Sequence, residues 1–377
     1  MTVASNRPSL LYLSPVVPSA GGCGIAMRAG IVLEALCESH RVSLVVIPLQ
    51  SAPETQVPEF LQRLCENTAI LPPGESTADL IPQIAGNGHG FETIHVFRLA
   101  AMAYLHDYLR QVHGHGRLHL DLDDIESKTN RRIAELYRRV GNDAMGDRTL
   151  ASAQTALLME AVAFRLFDRV YVCSEGDRLE LSDRSRGKIR VLPNAVRLPE
   201  AVRPPSPRDV FHFLFVGTLS YYPNQDGLRF FCTEVLPILR EGARRPFQVT
   251  VVGSGESAGM RDLASGEVYL AGQVSNLRPW YEECQAVVVP IRGGGGTRIK
   301  ILEAFSFRRP VVTTTLGVEG IEAEDYRDVL VADSPEDFAA ACLKLMSDPA
   351  LGQALAANGR ALVLRSYTSE ALRTPLS

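Results

Sequence analysis

A proline-rich segment, Leu198–Asp209, divides the chain into two series of short apolar strands and helices. Neither a helical nor a strand period runs through this segment, so we interpret it as a linker. Strands that alternate with helices predict parallel sheets, and a chain of 377 residues is too long for one hydrophobic core. The sequence therefore predicts an α/β protein with two doubly wound, Rossmann-like domains that face a cleft. The predicted boundaries are 1–198 for the first domain, 199–209 for the linker, 210–360 for the second domain, and 361–377 for a C-terminal helix and tail that could return to the first domain.

Four consecutive glycines, Gly293–Gly296, stand between an apolar strand at Ala286–Ile291 and an amphipathic helix that is predicted from about Thr297. Without Cβ atoms the backbone of this turn can approach a ligand closely, and the unpaired N–H groups of the helix start point into the same space. This arrangement predicts an anion site. About two turns into the helix, Glu303 could bind a pair of vicinal hydroxyls, as on a ribose. Phosphate and ribose together describe a nucleotide; the alternative is a simple tight connection.

A second glycine turn follows the first predicted strand, Leu10–Val16, and leads into a helix at Ile25–Ser39. It lacks the G-x-G-x-x-G spacing, and no acidic residue closes the next strand, Val42–Ile47, so a dinucleotide site is not expected. We interpret Gly21 and Gly22 as a backbone lip against a sugar or phosphate, with a plain tight turn as the alternative.

Two aspartates end the predicted strand Leu118–Leu122. Asp123 and Asp124 come at its carboxyl end, which is where ligands of open parallel sheets bind. The nearby His113 and His115 raise the question of a metal site, but they stand among glycines in a predicted surface turn. We therefore predict no metal.

The composition of the chain limits the binding partners and the cellular compartment that we expect for this protein. A net charge of −4 and a pI near 6.1 argue against nucleic acid as a partner. Seven scattered cysteines without C-x-x-C spacing indicate free thiols in a reducing compartment. We find neither a signal peptide nor an apolar run of about 18 residues, and we expect a cytoplasmic protein. The basic stretch Lys128–Arg148 is interpreted as a solvated helix face, while docking of an anionic or lipid-linked acceptor, with peripheral contact at the inner face of a membrane, is left open.

Three motifs in the second half carry a resemblance to a known family. FLFVGTLSYYPNQDGLRFF, VVGSGES and VVVPIRGGGGTRIKILEAFSFRRPVVTTTLGVEGI resemble, in this order, the C-terminal half of glycosyltransferase family 4, whose members have the GT-B fold. The resemblance covers about residues 190–350. PSAGGCGIAMR, IHVFRLAAMAY and DLDDIES are similar more loosely, and look most like sugar transferases of bacterial exopolysaccharide systems. The resemblance implies an acceptor-side first domain, a donor-binding second domain, and a nucleotide-diphosphate sugar as co-substrate without a separate cofactor.

The resemblance also assigns donor-binding positions. Family members carry two glutamates separated by seven residues; the second matches Glu303, whereas Gly295 stands at the position of the first. The other matched positions are Gly21 and Gly22 in the lip over the donor, Gly217 with the following Thr218 beside the phosphates, Gly253 and Gly255 near the nucleoside, Val274 at the base, and Gly295, Gly296, Thr297 and Ile299 at the diphosphate or sugar.

Two basic residues are implied as catalytic. Family members often place a basic pair after the VG-x-L turn, where this chain has uncharged residues, so Arg298 and Lys300 are expected to stabilise the departing nucleotide diphosphate instead. Many members also carry a histidine after the strand at LHLDLDD. Here Asp121, Asp123 or Asp124 would supply the polar group on the acceptor side.

Together these inferences predict a retaining, metal-independent glycosyltransferase that moves a sugar from a nucleotide diphosphate to an acceptor hydroxyl. The acceptor would be a glycan, a lipid-linked glycan or a small molecule, in polysaccharide or glycoconjugate biosynthesis; retention rests on the resemblance alone. Two alternatives remain open. One is a nucleotide-sugar epimerase of the same fold, and the other is a non-catalytic subunit that binds a nucleotide or glycan.

Overall fold

A computed structural model describes residues 7–48, 56–85, 90–111, 116–185, 187–204, 208–255 and 258–376. The chain forms two compact units. Unit 1 contains Met1–Ser127, Ala151–Pro193 and Ser369–Ser377, and unit 2 contains Lys128–Leu150 and Asn194–Thr368.

Unit 1 is built on a parallel sheet of seven strands. They are β1 (Ser9–Ser14), β2 (Arg41–Val46), β3 (Asn67–Ile70), β4 (Thr93–Phe97), β5 (Arg117–Asp123), β6 (Arg169–Val172) and β7 (Ile189–Val191). The order across the sheet is β3-β2-β1-β4-β5-β6-β7, so the direction of winding reverses between β1 and β4. Most positions in the central strands are buried, as expected where helices cover both faces of a sheet.

The helices that accompany these strands are α1 (Gly24–Ser39), α2 (Glu59–Leu64), α3 (Thr77–Ala85), α4 (Leu105–Gln111), α5 (Glu126–Arg139), α6 (Asp143–Leu166), α7 (Glu175–Glu180) and α8 (Ser182–Ser185), with a 3-10 helix at Leu99–Tyr104. The predicted basic helix Lys128–Arg148 is wrong as a single element. It consists of the end of α5 and the start of α6, because Gly141 between them adopts φ +75° and ends the first helix.

Unit 2 is built on a parallel sheet of six strands. They are β8 (Phe211–Val216), β9 (Phe247–Val252), β10 (Val268–Gly272), β11 (Ala286–Val289), β12 (Val311–Thr313) and β13 (Leu330–Val331). The order is β10-β9-β8-β11-β12-β13, and it reverses between β8 and β11. Both sheets have the doubly wound, Rossmann-like topology, which confirms the predicted fold class.

The helices of this half of the chain are α9 (Tyr222–Phe230), α10 (Leu236–Gly242), α11 (Ala258–Arg261), α12 (Arg278–Glu283), α13 (Ile299–Ser306), α14 (Thr315–Val318), α15 (Pro335–Ser347), α16 (Pro349–Ser366) and α17 (Arg373–Leu376), with a π-helical turn at Phe231–Val235 and a 3-10 helix at Ser369–Leu372. The core of unit 2 is rich in phenylalanine, including Phe213, Phe215, Phe230, Phe231 and Phe338.

Unit 2 includes a helical hairpin from the first half of the chain. Lys128–Leu150 lies within the predicted first domain, yet it belongs to unit 2, where Leu136 packs on Gly293 and Tyr137 stacks on Tyr222. Nothing local in the sequence shows these contacts, because their partners come many residues later. The last residues, Ser369–Ser377, belong to unit 1.

The interior of unit 1 contains a cluster of polar aromatic rings. His95 stacks between Tyr12 and Tyr171 at centroid distances of 5.4 and 5.7 Å, and His119 meets it edge-on. His95 is fully buried, and burial lowers its pKa to about 3. The two histidines singled out in the sequence, His113 and His115, lie outside the described residues.

Candidate functional site

The strongest candidate site of unit 2 lies where its strand order reverses. Parallel sheets bind ligands at the carboxyl ends of the strands on either side of such a point. Here those strands are β8 and β11, and the turns that follow them are the glycine-bearing segments around Gly217 and at Gly293–Gly296. The predicted donor-binding residues of this unit therefore converge on one edge of one sheet, apart from Val274, which follows the outer strand β10.

The carbonyl groups of the glycine run are held by two arginines. Arg298 folds back and donates hydrogen bonds to the carbonyls of Gly293, Gly295 and Gly296. Arg132 of the hairpin donates to the remaining carbonyl, that of Gly294, at 3.2 Å. In a planar trans peptide the C=O and N–H groups point in opposite directions. Holding the four carbonyls therefore turns the next N–H groups away from the arginines.

The N–H groups exposed in this way have no acceptor. Within the described part of the chain, the amides of Gly294, Gly295, Gly296 and Thr297 donate to no group. Gly294 and Gly296 have φ values of +90° and +67°, a conformation that favours glycine. Successive free amides in such a loop, followed by a helix start, form a concave anion site.

The glycines of the neighbouring turns serve close backbone packing. A Cβ at Gly253 would lie 1.8 Å from the carbonyl oxygen of Gly217, and one at Gly255 would lie 2.6 Å from the backbone nitrogen of Ser220. Leu219 N–H also donates to the Ser254 carbonyl at 2.6 Å. The turns after β8 and β9 can therefore meet only because these positions lack side chains. Thr218, in the first of these turns, is half-buried, and its carbonyl accepts a hydrogen bond from Asn224.

Lys300 lies at the base of this edge. Its Nζ donates to Asn224 Oδ1 at 2.8 Å, lies 5.2 Å from the centroid of the Phe215 ring, and would be 2.8 Å from a Cβ at Gly217. Burial, reinforced by the charge of Arg298, lowers the pKa of Lys300 to about 7, against the opposing charge of Glu303. The amine can therefore gain a proton when an anion arrives.

Glu303 is closer to the start of its helix than the sequence predicts. The helix α13 begins at Ile299 and not at Thr297, so Glu303 is only about one turn into it. Tyr281 donates its hydroxyl to Glu303 Oε2 at 3.3 Å. Burial raises the pKa of Glu303 to about 7, although Tyr281 and Lys300 both oppose this shift. Glu303 is half-buried, and a carboxyl group can accept hydrogen bonds from the hydroxyl groups of a ligand.

Three further residues of this site were missed by the sequence analysis: Asn224, Tyr281 and Arg132. Asn224 is visible in principle, because it follows Pro223 at the start of a helix that succeeds a glycine turn. Tyr281 and Arg132 give no local signal.

Two predicted residues beside these turns have identifiable neighbours. The hydroxyl of Thr297 accepts a hydrogen bond from Asn194 Nδ2 at 2.5 Å and is buried. Val274 is half-buried in the loop after β10. That loop leaves the strand at Gly272, whose carbonyl accepts from Gly253 N–H at 2.9 Å.

The predicted residues of unit 1 occupy its own sheet edge. Gly21 and Gly22 are exposed in the turn after β1, and a Cβ at either would meet nothing within 4 Å. Asp123 is the last residue of β5 and Asp124 follows it; both are paired with Arg98, at 3.3 and 2.5 Å. Asp123 has φ +64°, and burial raises its pKa despite the neighbouring arginines.

A buried ion pair lies beside these aspartates. Arg28 of α1 is fully buried and donates to both oxygens of Asp121, at 3.1 and 2.8 Å, and to the Leu192 carbonyl at 3.0 Å. Asp121 is thus committed to Arg28, and of the aspartates expected to supply the acceptor-side group it is the least accessible. In the described residues, no group of three or more His, Cys, Asp or Glu side chains is arranged to hold a metal ion.

Most of unit 2 is similar to a known protein family. Residues 210–348 match the family described as glycosyl transferases group 1. No curated protein matches the chain by sequence. Among the described helices, none combines the length and the apolar character that a membrane span requires.

Solved structures show that the fold is that of GT-B glycosyltransferases. Sucrose-phosphate synthase from Thermosynechococcus elongatus is similar with a TM-score of 0.72 and 18% identity, over 97% of this chain and 96% of that one. A glycosyltransferase from Rickettsia africae has a TM-score of 0.68 and 12% identity, over 98% and 96%. HepE from Anabaena, in complex with UDP and glucose, has a TM-score of 0.66 and 13% identity, over 98% of both chains.

Proposed function

We propose that this protein is a retaining, metal-independent glycosyltransferase of family 4 that transfers a sugar from a nucleotide diphosphate to an acceptor hydroxyl. The observation that carries the proposal is the set of free amides in the glycine run, with Glu303 about one turn into the helix that follows. A diphosphate fits the amides, and a ribose fits the carboxyl group.

The same residues suggest how transfer would be assisted. As the bond between the sugar and the diphosphate breaks, negative charge develops on the departing oxygen. Fixed N–H groups stabilise that charge without having to reorient. Lys300 adds a proton-bearing amine beside them, and Arg298 contributes its positive charge from the carbonyl side of the run. Such assistance needs no metal ion.

Two lines of comparison support this function. The family match covers the unit 2 segment that contains the glycine run, Lys300 and Glu303. HepE, whose fold this chain shares, was solved with UDP-glucose, which makes UDP the first donor nucleotide to test. We place the reaction in the cytoplasm, in polysaccharide or glycoconjugate synthesis as for exopolysaccharides, with a glycan or lipid-linked acceptor.

The proposal is tested by thermal stabilisation of the purified protein with UDP, GDP and dTDP, because a ligand of the native state raises the melting temperature. We expect one of them to stabilise wild type. Glu303→Ala should weaken its binding by about 2 kcal/mol through loss of charged hydrogen bonds. The matched control is Glu336→Ala, which removes an exposed carboxylate from α15 and should leave binding unchanged.

Release of nucleotide diphosphate from the matching sugar nucleotide, with and without candidate acceptors, then tests transfer. Binding without release under any condition would indicate a non-catalytic subunit, and an isomerised sugar nucleotide would indicate an epimerase. Absence of stabilisation by all three diphosphates would overturn the nucleotide site itself.

A further inference from the structure

The hairpin helix α5 presents one face to the donor edge of unit 2. Lys128, Arg132 and Leu136 are spaced by four residues and so lie on the same side of the helix. Leu136 Cδ1 would be 2.5 Å from a Cβ at Gly293, so the first glycine of the run is required by this helix. The glycine run therefore has two roles. Gly293 leaves room for Leu136 of α5, and the residues after Gly293 carry the free amides.

Arg132 makes the polar contacts of this face. Its two terminal nitrogens bind the carboxylate of Glu319 at 2.5 and 2.9 Å, and one of them also donates to the Gly294 carbonyl at 3.2 Å. Lys128 Nζ lies 3.3 Å from the same carboxylate. Burial would raise the pKa of Glu319, but the hydrogen bond from Arg132 and the two cations outweigh it and hold the pKa below its ordinary value. Glu319 therefore stays ionised and fixes the guanidinium.

We propose that Arg132 is a positioning residue of the donor site, which holds the Gly294 carbonyl so that the Gly295 amide faces the diphosphate, and that Glu319 acts through Arg132. The inference rests on the proposed function, since it assumes that the glycine run binds a diphosphate. Its physical basis is the planar peptide, in which fixing C=O on one side fixes N–H on the other. Without this contact the Gly294–Gly295 peptide can rotate, because glycine tolerates many backbone conformations.

The test compares a nucleotide diphosphate with its nucleoside by calorimetric titration. The pair is the diphosphate that stabilises wild type and the nucleoside with the same base. Arg132→Met should weaken the diphosphate about tenfold, the equivalent of one lost charged hydrogen bond, and leave the nucleoside unchanged. Glu319→Gln should act in the same direction, and the double variant should be no weaker than Arg132→Met alone.

The matched control is Arg138→Met on the same helix. Arg138 pairs with the exposed Asp147 at 2.7 Å, so its removal should leave both ligands unaffected. Arg132→Lys keeps the charge but cannot span two acceptors, and should weaken the diphosphate by less than Arg132→Met. Arg132→Lys replaces Arg132→Met in this experiment if Arg132→Met does not fold.

The possible outcomes separate the role of Arg132, the role of Glu319 and the proposed function. Unchanged diphosphate affinity in the folded Arg132 variants overturns the positioning role and leaves the proposed function intact. Equal weakening of diphosphate and nucleoside, together with a lower melting temperature, shows that Arg132 is merely structural and also overturns it. Additive effects of the two variants overturn the role of Glu319. If wild type binds none of the diphosphates, the proposed function and this inference fail together.

Discussion

Both sheets reverse their strand order between the first and fourth strands of their unit, but the two units line that place differently. In unit 1, charged side chains line the edge of the sheet near this reversal, and the buried pair of Arg28 and Asp121 is an example. Unit 2 lines the corresponding edge with backbone groups, namely the free amides of Gly294–Thr297 and the close contact of Gly253 with Gly217. A side-chain edge can be rebuilt by substitution, because each group has a replaceable partner. An edge made of backbone groups cannot be rebuilt in this way. Its hydrogen-bond donors are main-chain N–H groups, which substitution does not remove, and the close approach of its turns depends on the absence of Cβ atoms.

The largest effect is expected at the charged edge. Asp121→Ala removes the carboxylate that binds both Nε and a terminal nitrogen of the fully buried Arg28, leaves Asp123 at 3.4 Å as its carboxylate partner, and should lower the free energy of unfolding by about 3 kcal/mol. Chemical denaturation measures this loss. The double variant Arg28→Met with Asp121→Leu removes both charges and should be clearly more stable than Asp121→Ala. If the double variant is less stable than Asp121→Ala, apolar side chains cannot replace the ion pair of Arg28 and Asp121.

A smaller loss is expected at the backbone edge. Gly253→Ala places a Cβ 1.8 Å from the Gly217 carbonyl oxygen and should cost about 2 kcal/mol, because the two turns must move apart. Gly21→Ala is the matched control in unit 1, since its Cβ would meet nothing within 4 Å, and it should change stability by less than about 0.5 kcal/mol. If thermal denaturation shows the same loss of stability for Gly253→Ala and Gly21→Ala, the close backbone packing at Gly253 does not contribute to the stability of unit 2.

The smallest effect concerns pH. Backbone amides do not titrate in the neutral range, so the pH dependence of diphosphate binding must come from side chains. Lys300 has a pKa of about 7 and loses its positive charge as pH rises. This loss weakens the attraction to an anion. Affinity for the diphosphate should therefore fall above pH 7, by at most about tenfold per pH unit.

Calorimetric titration from pH 7.5 to pH 9 at constant ionic strength checks this expectation. Lys300→Arg keeps its charge throughout and should flatten the profile. An affinity in wild type that is constant over this range would mean that the free amides bind the diphosphate without Lys300.

The sequence was sufficient to predict the fold because strand and helix periods are local. It also pointed to the glycine run as a candidate anion site, because glycines between an apolar strand and a helix leave backbone amides open to a ligand. It did not predict that Arg298 turns back onto the run, because the path of a long side chain depends on which carbonyls lie within its reach. Arg132 was missed for another reason. It pairs with Glu319, 187 residues later, and no local pattern connects them.

That separation bears on how the protein is made. On the ribosome the hairpin Lys128–Leu150 is complete long before the loop it contacts has been translated. At about 5 to 20 residues per second, the stretch from 150 to 319 takes roughly 10 to 30 seconds to emerge. During this interval α5 has neither Gly293 nor Glu319 to pack against, so unit 2 can be completed only after residue 319 has emerged. Premature termination at the linker would release a chain whose hairpin lacks those partners.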